Sequence, residues 1–189
     1  MDIILLGGSF DPVHIGHVKT VSTLQSRFPQ ARILILPGQN RLKNLSLIPL
    51  DVRIKCAQEV FKHFNNVQVL DWSLNSDTTS TYAVYLRLTE LYPKSKVSIF
   101  AGEDILETLK KWKNSDKLIS SVNWIFFKRL NGVVIDSLVD KDLKELVLKS
   151  EILEGQPVDI SSTDIRSKSV KPEDYIPDEI IELVRPYLK

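Results

Sequence analysis

Two histidines near the start of the chain stand at a spacing that suits phosphate binding. His14 and His17 follow a glycine pair, Gly7 and Gly8, and the whole sequence has only three histidines. Glycine lets the backbone turn sharply and approach a ligand closely, and imidazole N–H groups donate hydrogen bonds to phosphate oxygens. Residues 7–17 therefore predict a site for a phosphorylated ligand. The alternative is that the two imidazoles only cap or pack at the start of a helix.

The patterns on either side of this stretch predict a strand before it and a helix after it. The apolar run at residues 3–6 is typical of a buried parallel strand. The apolar residues of the stretch 18–28 recur at helical spacing. The histidines then lie at the amino end of a helix, where unpaired N–H groups and the helix dipole favour negative charge. A zinc site is disfavoured, because no cysteine or third histidine is placed to complete a tetrahedral set of ligands.

Length and composition are those of one ordinary globular domain. The chain has 189 residues, of which 43% are apolar and 26% charged, and its net charge is +1. We expect a single domain over residues 1–189. We expect no nucleic-acid partner, because the chain has no large excess of positive charge. We expect no membrane partner, because no apolar run reaches transmembrane length. The single cysteine and the strand at the very start, which leaves no room for a signal peptide, favour a cytoplasmic protein. A homo-oligomer stays open.

Strand and helix patterns alternate along most of the chain. This alternation predicts an α/β fold, namely a Rossmann-like, doubly wound parallel sheet with helices on both faces and a small helical C-terminal extension. Strands are predicted at residues 3–6, 33–36, 67–70, 97–100 and 124–127, with a late strand at 157–160 and either a short strand or an ordered loop at 133–135. Helices are predicted at residues 18–28, 50–64 (with Asp51 as N-cap), 81–92, 105–113, 138–148 and 178–188.

The polar motifs of the sequence all follow predicted strands. They occupy residues 7–17, 37–43, 102–104 and 161–166. In open parallel sheets, ligands lie outside the carboxyl ends of the strands. We therefore expect these distant segments to meet in one crevice.

The last of these motifs, Ser161 to Arg166, offers a second group for holding phosphate. It combines three hydroxyl side chains with a guanidinium, which can bind two oxygens at once and stays charged. Taken alone, the same residues could be a helix N-cap followed by a surface arginine.

Together these motifs resemble the nucleotidylyltransferase superfamily. Its signature is Gly-(Ser/Thr)-Phe-Asp-Pro followed by His-x-Gly-His, and residues 8–17 read Gly-Ser-Phe-Asp-Pro-Val-His-Ile-Gly-His. Residues 160–166 are similar to the Ile-Ser-Ser-Thr-x-Ile-Arg motif of bacterial nicotinate mononucleotide adenylyltransferases. The Gly-x-Asp segment at residues 102–104 and Trp112 also resemble that family. The resemblance covers about residues 1–128 and 157–189.

The resemblance implies an enzyme of NAD biosynthesis that joins ATP and nicotinate mononucleotide into nicotinate adenine dinucleotide (deamido-NAD) and releases pyrophosphate. It implies no protein nucleophile and no protein ligand for a metal, with Mg²⁺ bound through the ATP phosphates. The implied catalytic residues are His14, His17 and Arg166. The implied ATP-binding residues are Gly7, Gly8, Ser9, Phe10, His14, His17, Gly102, Asp104, Ser161, Ser162, Thr163 and Arg166. The implied acceptor-binding residues are Asn40, Lys43, Thr81, Tyr82 and Trp112.

The sequence departs from the family in two places that bear on the acceptor. Members usually carry Asn-x-Pro-Pro-His-Lys where this chain has Asn40-Arg41-Leu42-Lys43, and Ala83 stands where they have a hydroxyl residue. Two alternatives therefore remain. The chain could be a related enzyme with another acceptor, such as nicotinamide mononucleotide or a phosphopantetheine-like phosphate, or it could be a non-catalytic nucleotide-binding regulator.

Overall fold

Six parallel strands form the centre of the fold in the order β3-β2-β1-β4-β5-β6. They are seen in a computed structural model that describes residues 1–38, 48–74, 80–129, 137–155, 158 and 160–188. The strands are β1 (Ile3–Gly8), β2 (Arg32–Pro37), β3 (Val67–Val69), β4 (Val97–Gly102), β5 (Asn123–Arg129) and β6 (Glu151–Gly155).

The first strand lies in the middle of the sheet because its residues are apolar on both faces. Ile3, Ile4, Leu5 and Leu6 are all buried. From β1 the chain builds outward to β3, returns to place β4 on the other side of β1, and then builds outward to β6. The strand order thus reverses between β1 and β4, which is where open parallel sheets bind their ligands.

Helices cover both faces of this sheet. The helices in the described residues are α1 (Ile15–Arg27), α2 (Leu50–Phe61), α3 (Thr81–Leu91), α4 (Ser115–Ser121), α5 (Lys141–Lys149), α6 (Ser162–Arg166) and α7 (Asp178–Val184). Short 3₁₀ helices occupy Trp72–Leu74, Glu103–Glu107, Leu109–Lys111, Pro172–Asp174 and Arg185–Tyr187.

Alternate residues of β1 point into two separate cores. Ile4 and Leu6 belong to the core formed with α1, α2, α6 and α7, while Ile3 and Leu5 belong to the core formed with α3, α4 and α5. This alternation follows from the two-residue period of a strand. The predicted doubly wound sheet, its helices on both faces and the small helical C-terminal extension are confirmed.

Several predicted elements were wrong in position or type. The helix expected at residues 105–113 consists of the two 3₁₀ helices Glu103–Glu107 and Leu109–Lys111. Asp51 lies in the first turn of α2, and the N-cap position is taken by Pro49. Helix α5 begins at Lys141, and α7 ends at Val184, before a 3₁₀ turn.

The last strand also lies elsewhere than predicted. β6 is formed by Glu151–Gly155, whereas Val158 and Ile160 are not in a strand. Residues 157 and 159 of the predicted late strand lie outside the described residues, as does the short strand or loop predicted at 133–135. β6 gives a weak signal because it pairs only with β5 and contains just two apolar residues. None of the helices in the described part of the chain is long and apolar enough to cross a membrane.

Candidate active site

The first and the last of the predicted motifs are in contact. Helix α6 lies against the loop that joins β1 to α1: the hydroxyl of Ser162 donates to the carbonyl of Pro12 at 3.0 Å, and Nη1 of Arg166 donates to the carbonyl of Asp11 at 2.6 Å. These pairs are separated by about 150 residues in the sequence. The structure therefore brings both segments to the carboxyl end of β1.

The imidazoles of His14 and His17 pack against each other at the amino end of α1, with their planes tilted by 34°. Their ring centroids are 3.8 Å apart, and the ring of Phe10 packs on His17 at 4.6 Å. His14 takes the N-cap position, and its backbone N–H donates to Nδ1 of His17 at 3.2 Å. Because Nδ1 of His17 accepts this bond, its proton resides on Nε2, which can donate to a ligand.

Burial keeps both imidazoles uncharged. The pKa of His14 is lowered to about 4 by desolvation, which the negative charge of Asp164 opposes only in part. The pKa of His17 is lowered well below its usual value, first by desolvation and then by His14. Among the described residues, Nδ1 of His14 is buried without a hydrogen-bond partner. At neutral pH the pair can therefore serve as hydrogen-bond donors to anionic oxygens but not as cations.

The glycine between the histidines is required by the packing of His14. A Cβ added to Gly16 would lie 2.9 Å from Nδ1 of His14 and 3.3 Å from Cγ2 of Ile160. Real Cβ atoms essentially never come within 3.0 Å of another heavy atom, so the contact with Nδ1 of His14 is not allowed. The His-x-Gly-His spacing thus has a steric reason in this chain: the imidazole of His14 occupies the space that a side chain at position 16 would need.

Glycine at position 102 has a similar local reason. A Cβ there would collide with a carboxylate oxygen of Asp104, which lies in the first turn after β4. Asp104 itself is exposed. The Gly-x-Asp spacing therefore allows an exposed carboxylate to lie against the end of β4, next to the point where the strand order reverses.

A buried carboxylate organises the loop ahead of the histidines. Asp11 is 1% exposed, and its Oδ1 accepts from the backbone N–H of Ile48 at 3.1 Å. Its Oδ2 lies 3.7 Å from Nη1 of Arg166. Asp11 thus links the loop after β1 to the approach to α2 and to α6.

Helix α6 is held by a capping box as well as by its contacts with the loop. The hydroxyl of Ser161 accepts from the backbone N–H of Asp164, and the Asp164 carboxylate accepts from the backbone N–H of Ser161 at 2.8 Å. Nη2 of Arg166 donates to the hydroxyl of Thr163 at 3.1 Å. Ser161 is therefore an N-cap, as in the alternative interpretation of this motif, while Ser162 and Arg166 reach the β1 loop.

The described acceptor-binding candidates, Thr81, Tyr82 and Trp112, lie on the other face of the sheet from α1. Thr81 and Tyr82 begin α3, and Tyr82 and Trp112 are partly buried against the core beneath α3. The ammonium of Lys117 lies 5.6 Å from the centre of the Tyr82 ring. Asn40 and Lys43 lie outside the described residues. The remaining predicted ATP-binding residues, Gly7, Gly8 and Ser9, occupy the end of β1 and the turn after it.

Sequence reasoning missed one residue of the site, Arg53. It is 2% exposed, and its Nη1 donates to the carbonyls of Ser9 and, at 2.8 Å, of Gly38. Its position beside Val52 on the predicted apolar stripe of α2 was the available signal, because an arginine next to a buried stripe needs partners. Nothing in the sequence indicated that those partners are backbone carbonyls of two other loops.

Two cavities lie away from this crevice. One of about 330 Å³ lies at the amino ends of the central strands, lined among others by Asp2, Lys96 and Asn123. The other, of about 340 Å³, lies beside Lys110 and Leu143. We assign the site to the open crevice instead, because the buried polar groups and the glycine turns converge there. Within the described residues, no three His, Cys, Asp or Glu side chains come together as a metal-binding set.

Comparison with known proteins identifies similar sequences. The model of the cytidylyltransferase-like family matches residues 5–168. A Fusobacterium nucleatum protein described as a probable nicotinate-nucleotide adenylyltransferase is 36% identical over 132 residues, which cover 68% of each chain. An Aliarcobacter butzleri protein of the same description is 30% identical over 142 residues, which cover 74% of this chain and 78% of the relative.

Solved structures show the same fold. The nicotinic acid mononucleotide adenylyltransferase of Plasmodium falciparum, complexed with NaAD, matches with a TM-score of 0.79 at 20% identity, covering 98% of this chain and 95% of that one. The same protein complexed with APC matches with a TM-score of 0.77 at 19% identity and the same coverage. At this level of identity the likeness establishes the fold alone.

Proposed function

Because this chain belongs to the cytidylyltransferase-like family, we propose that it is an adenylyltransferase of NAD biosynthesis, which joins ATP and nicotinate mononucleotide into nicotinate adenine dinucleotide and pyrophosphate. Its bacterial relatives carry the description of probable nicotinate-nucleotide adenylyltransferases. The observation that carries the proposal is the closely packed pair of neutral imidazoles at the amino end of α1, directly after a glycine turn.

The proposed reaction is a substitution at the α-phosphorus of ATP. A phosphate oxygen of the mononucleotide attacks that phosphorus, and a new P–O bond forms. The bond from the α-phosphorus to the oxygen that bridges to the β-phosphate breaks, and the electron pair leaves with pyrophosphate. The protein needs to supply no nucleophile, so catalysis consists of positioning and of stabilising the charge on the phosphate oxygens.

His14 and His17 hold oxygens of the α- and β-phosphates. The Nε2–H of His17 is the better defined donor, because its Nδ1 is occupied by the backbone N–H of His14. As the α-phosphorus gains its fifth ligand, this donor stabilises the added charge on the equatorial oxygens. A neutral donor also loses no proton to the phosphate, so the hydrogen bond persists through the transfer.

Arg166 and Ser162 hold the departing pyrophosphate. In the structure their side chains donate to the carbonyls of Asp11 and Pro12, so they already face the loop on which the phosphates lie. ATP enters as its Mg²⁺ complex, with the ion held by the phosphates.

The remaining residues bind the nucleoside part of ATP and the pyridine ring of the acceptor. Gly7, Gly8, Ser9 and Phe10 let the backbone approach ATP, and Gly102 and Asp104 offer a carboxylate to its ribose hydroxyls. Trp112 and Tyr82 present aromatic faces to the pyridine ring. Thr81 adds a hydroxyl at the start of α3, and Asn40 and Lys43 complete the acceptor side.

The test is pyrophosphate release with ATP and Mg²⁺ in the presence of different acceptors. Nicotinate mononucleotide, nicotinamide mononucleotide and a phosphorylated pantetheine are supplied in parallel at equal concentration. We expect the nicotinate compound to be preferred by at least about tenfold in kcat/KM, which corresponds to about 1.4 kcal/mol. Equal or better turnover with another acceptor would contradict the proposed substrate. Tight ATP binding without any turnover would favour the regulator.

A further inference from the structure

We propose that Arg53 is a positioning residue of this site, whose guanidinium holds Ser9 after β1, Gly38 after β2 and Ile48 before α2 in one geometry and so aligns the two substrates. The kinetic part of this inference depends on the proposed adenylyl transfer. The structural part can be tested without any turnover. Arg53 lies on α2 and was not among the residues that the sequence singled out.

Three backbone carbonyls from three different segments accept from this one side chain. Nε donates to the carbonyl of Ile48, two residues before the start of α2, at 2.9 Å. Nη1 donates to Gly38 at 2.8 Å and to Ser9. Ser9 belongs to the turn after β1, and Gly38 is the first residue after β2. A single buried guanidinium therefore joins the ends of two neighbouring strands to the approach to α2.

Only arginine can make this set of bonds. Its guanidinium is planar and carries five N–H donors in a fixed fork, whereas lysine has a single nitrogen at the end of a flexible stem. Removal of the Arg53 side chain leaves the buried carbonyl of Ile48 and the partly buried carbonyls of Ser9 and Gly38 without this donor, which is costly. Shortening the side chain alone would also leave a void between α2 and the loops.

The charge around Arg53 supports a role in the site. Burial lowers the pKa of Arg53, the carboxylate of Asp11 opposes this effect, and the guanidinium of Arg166 adds to it. Arg53 is thus electrostatically coupled to Asp11 and Arg166, both of which hold the loop beneath the histidines. The positive charge of the two guanidiniums favours a polyphosphate over that loop.

The position of Ser9 transmits this geometry to the histidines. Phe10, the next residue, has a φ of 48° in the left-handed region, and its ring packs on His17. A shift of the Ser9 carbonyl would therefore rotate this turn and move the ring of Phe10, which packs on the imidazole of His17. On the other side, Gly38 opens the segment that leads to the proposed acceptor residues. Loss of Arg53 should misplace both reacting groups at once.

The first experiment compares Arg53→Lys with Arg87→Lys and with the unchanged chain. Arg87 is an exposed arginine on α3, and its guanidinium lies 4.0 Å from the centre of the Trp72 ring, so it serves as a matched control. Misplacement of reacting groups by about 1 Å can cost on the order of 10²-fold in rate. For Arg53→Lys we expect kcat to fall on that order at temperatures where the variant is fully folded, and KM for both substrates to change less. For Arg87→Lys we expect both constants to stay within about threefold of those of the unchanged chain. A kcat for Arg53→Lys within that same margin would overturn the inference.

The second experiment restores the missing group. In Arg53→Ala, millimolar guanidinium ion can enter the space left by the side chain, and we expect it to recover at least about tenfold in kcat. Tetramethylammonium at equal concentration should recover none, because it has no N–H donor. Equal recovery of kcat by the two ions would show that N–H donors are not needed at this position and would overturn the inference.

A third readout needs no catalysis and separates this inference from the proposed function. The amide of Gly38 donates to the carbonyl of Gly8 at 2.9 Å, and the amide of Ile48 donates to Asp11 at 3.1 Å. If Arg53 fixes these segments, Arg53→Lys should speed hydrogen exchange at both amides by at least about tenfold, while amides of β5 keep the rates of the unchanged chain. Unchanged exchange at Gly38 and Ile48 would overturn the inference. A chain that shows this effect but turns over no acceptor would contradict only the proposed function.

Discussion

At the scale of single residues, the site depends on imidazoles that burial keeps neutral. His14 is 6% exposed and its pKa is lowered to about 4, so at neutral pH it holds no extra proton. His17 is only partly buried, and its pKa is lowered in the same direction by desolvation. Neutral donors suit this chemistry, because the guanidiniums of Arg53 and Arg166 already supply positive charge close by.

The lowered pKa of His14 predicts how stability depends on pH. Between its folded pKa of about 4 and the value of about 6.5 for an unfolded chain, the unfolded state binds more protons. The free energy of unfolding must then decrease as pH falls through this window. From pH 7 to pH 5 we expect His14 alone to account for a loss of about 2 kcal/mol.

Denaturant unfolding at pH 7, 6 and 5 measures this effect. His14→Gln should reduce the pH dependence by about that amount, whereas His63→Gln, at an exposed histidine two residues after the end of α2, serves as the control. If His14→Gln keeps the full slope between pH 7 and pH 5, the imidazole of His14 is not buried in its neutral form.

Gly16 gives a second prediction at this scale. In Gly16→Ala the new methyl group must displace the imidazole of His14, because it would lie 2.9 Å from Nδ1. We expect kcat/KM to fall by at least about tenfold, in line with misplacement of a reacting group. Ser22→Ala, an exposed substitution on the same helix, should change it little. Full activity in Gly16→Ala would mean that the position of His14 does not matter for turnover.

The sequence predicted the residue types of the site better than their partners. Motifs in the sequence revealed the glycines, His14, His17 and Arg166. Phosphate binding requires these residue types, and they occur at characteristic spacings. Arg53 could not be recognised in this way. Its partners are backbone carbonyls, which every residue has, so the sequence does not mark them as partners. The hydrogen bond that sets the proton of His17 onto Nε2 depends on the exact turn of the backbone at His14 and could not be predicted either.

At the scale of elements, helix α6 is too short to be stable by itself. Its five residues form hardly more than one turn, and a helix this short is stable only with help from caps and tertiary contacts. The capping box of Ser161 and Asp164 supplies the first, and the bonds from Ser162 and Arg166 to the β1 loop supply the second. The cap therefore keeps Arg166 on the loop that is proposed to hold the phosphates.

Removal of this cap should affect stability and substrate binding together. In Ser161→Ala we expect the free energy of unfolding to drop by about 1 kcal/mol, the usual cost of losing an N-cap hydroxyl, and KM for ATP to rise. Ser161→Thr keeps a capping oxygen and should restore most of both. Calorimetric unfolding and initial-rate kinetics measure the two effects. A rise in KM that Ser161→Thr does not reverse would mean that the Ser161 hydroxyl contacts ATP itself.

Elements with clear periodicity were predicted well, and the marginal ones were not. The first five strands lie where apolar runs indicated, to within about two residues. The stretch 105–113 has apolar residues at helical spacing, but it folds as two 3₁₀ turns separated by Thr108, whose hydroxyl donates to the carbonyl of Ile105. Such local competition for the backbone is not visible as periodicity. β6 was missed because it has only one apolar residue on each face, Ile152 on one and Leu153 on the other.

At the scale of the whole molecule, the strand order explains why distant motifs meet. The sheet reverses its order between β1 and β4, so the ends of both strands open onto the same crevice. The core beneath α1 contains residues from Ile4 to Val184, which spans nearly the whole chain. We propose on this basis that residues 1–189 form one domain. The order itself could not be predicted from the sequence, since alternation of strands and helices fits several doubly wound topologies.

The most direct test of the central claim follows the labelled phosphorus of ATP. ATP labelled at the α-phosphorus is incubated with Mg²⁺ and nicotinate mononucleotide, and the products are separated. We expect the label to appear in the dinucleotide, and the rate to fall by about 10²–10³ in His17→Ala, the cost of one lost charge-stabilising donor. Circular dichroism of His17→Ala verifies that it is folded. Label that stays in ATP or appears in AMP, or an undiminished rate in the folded variant, would contradict adenylyl transfer at the histidine pair.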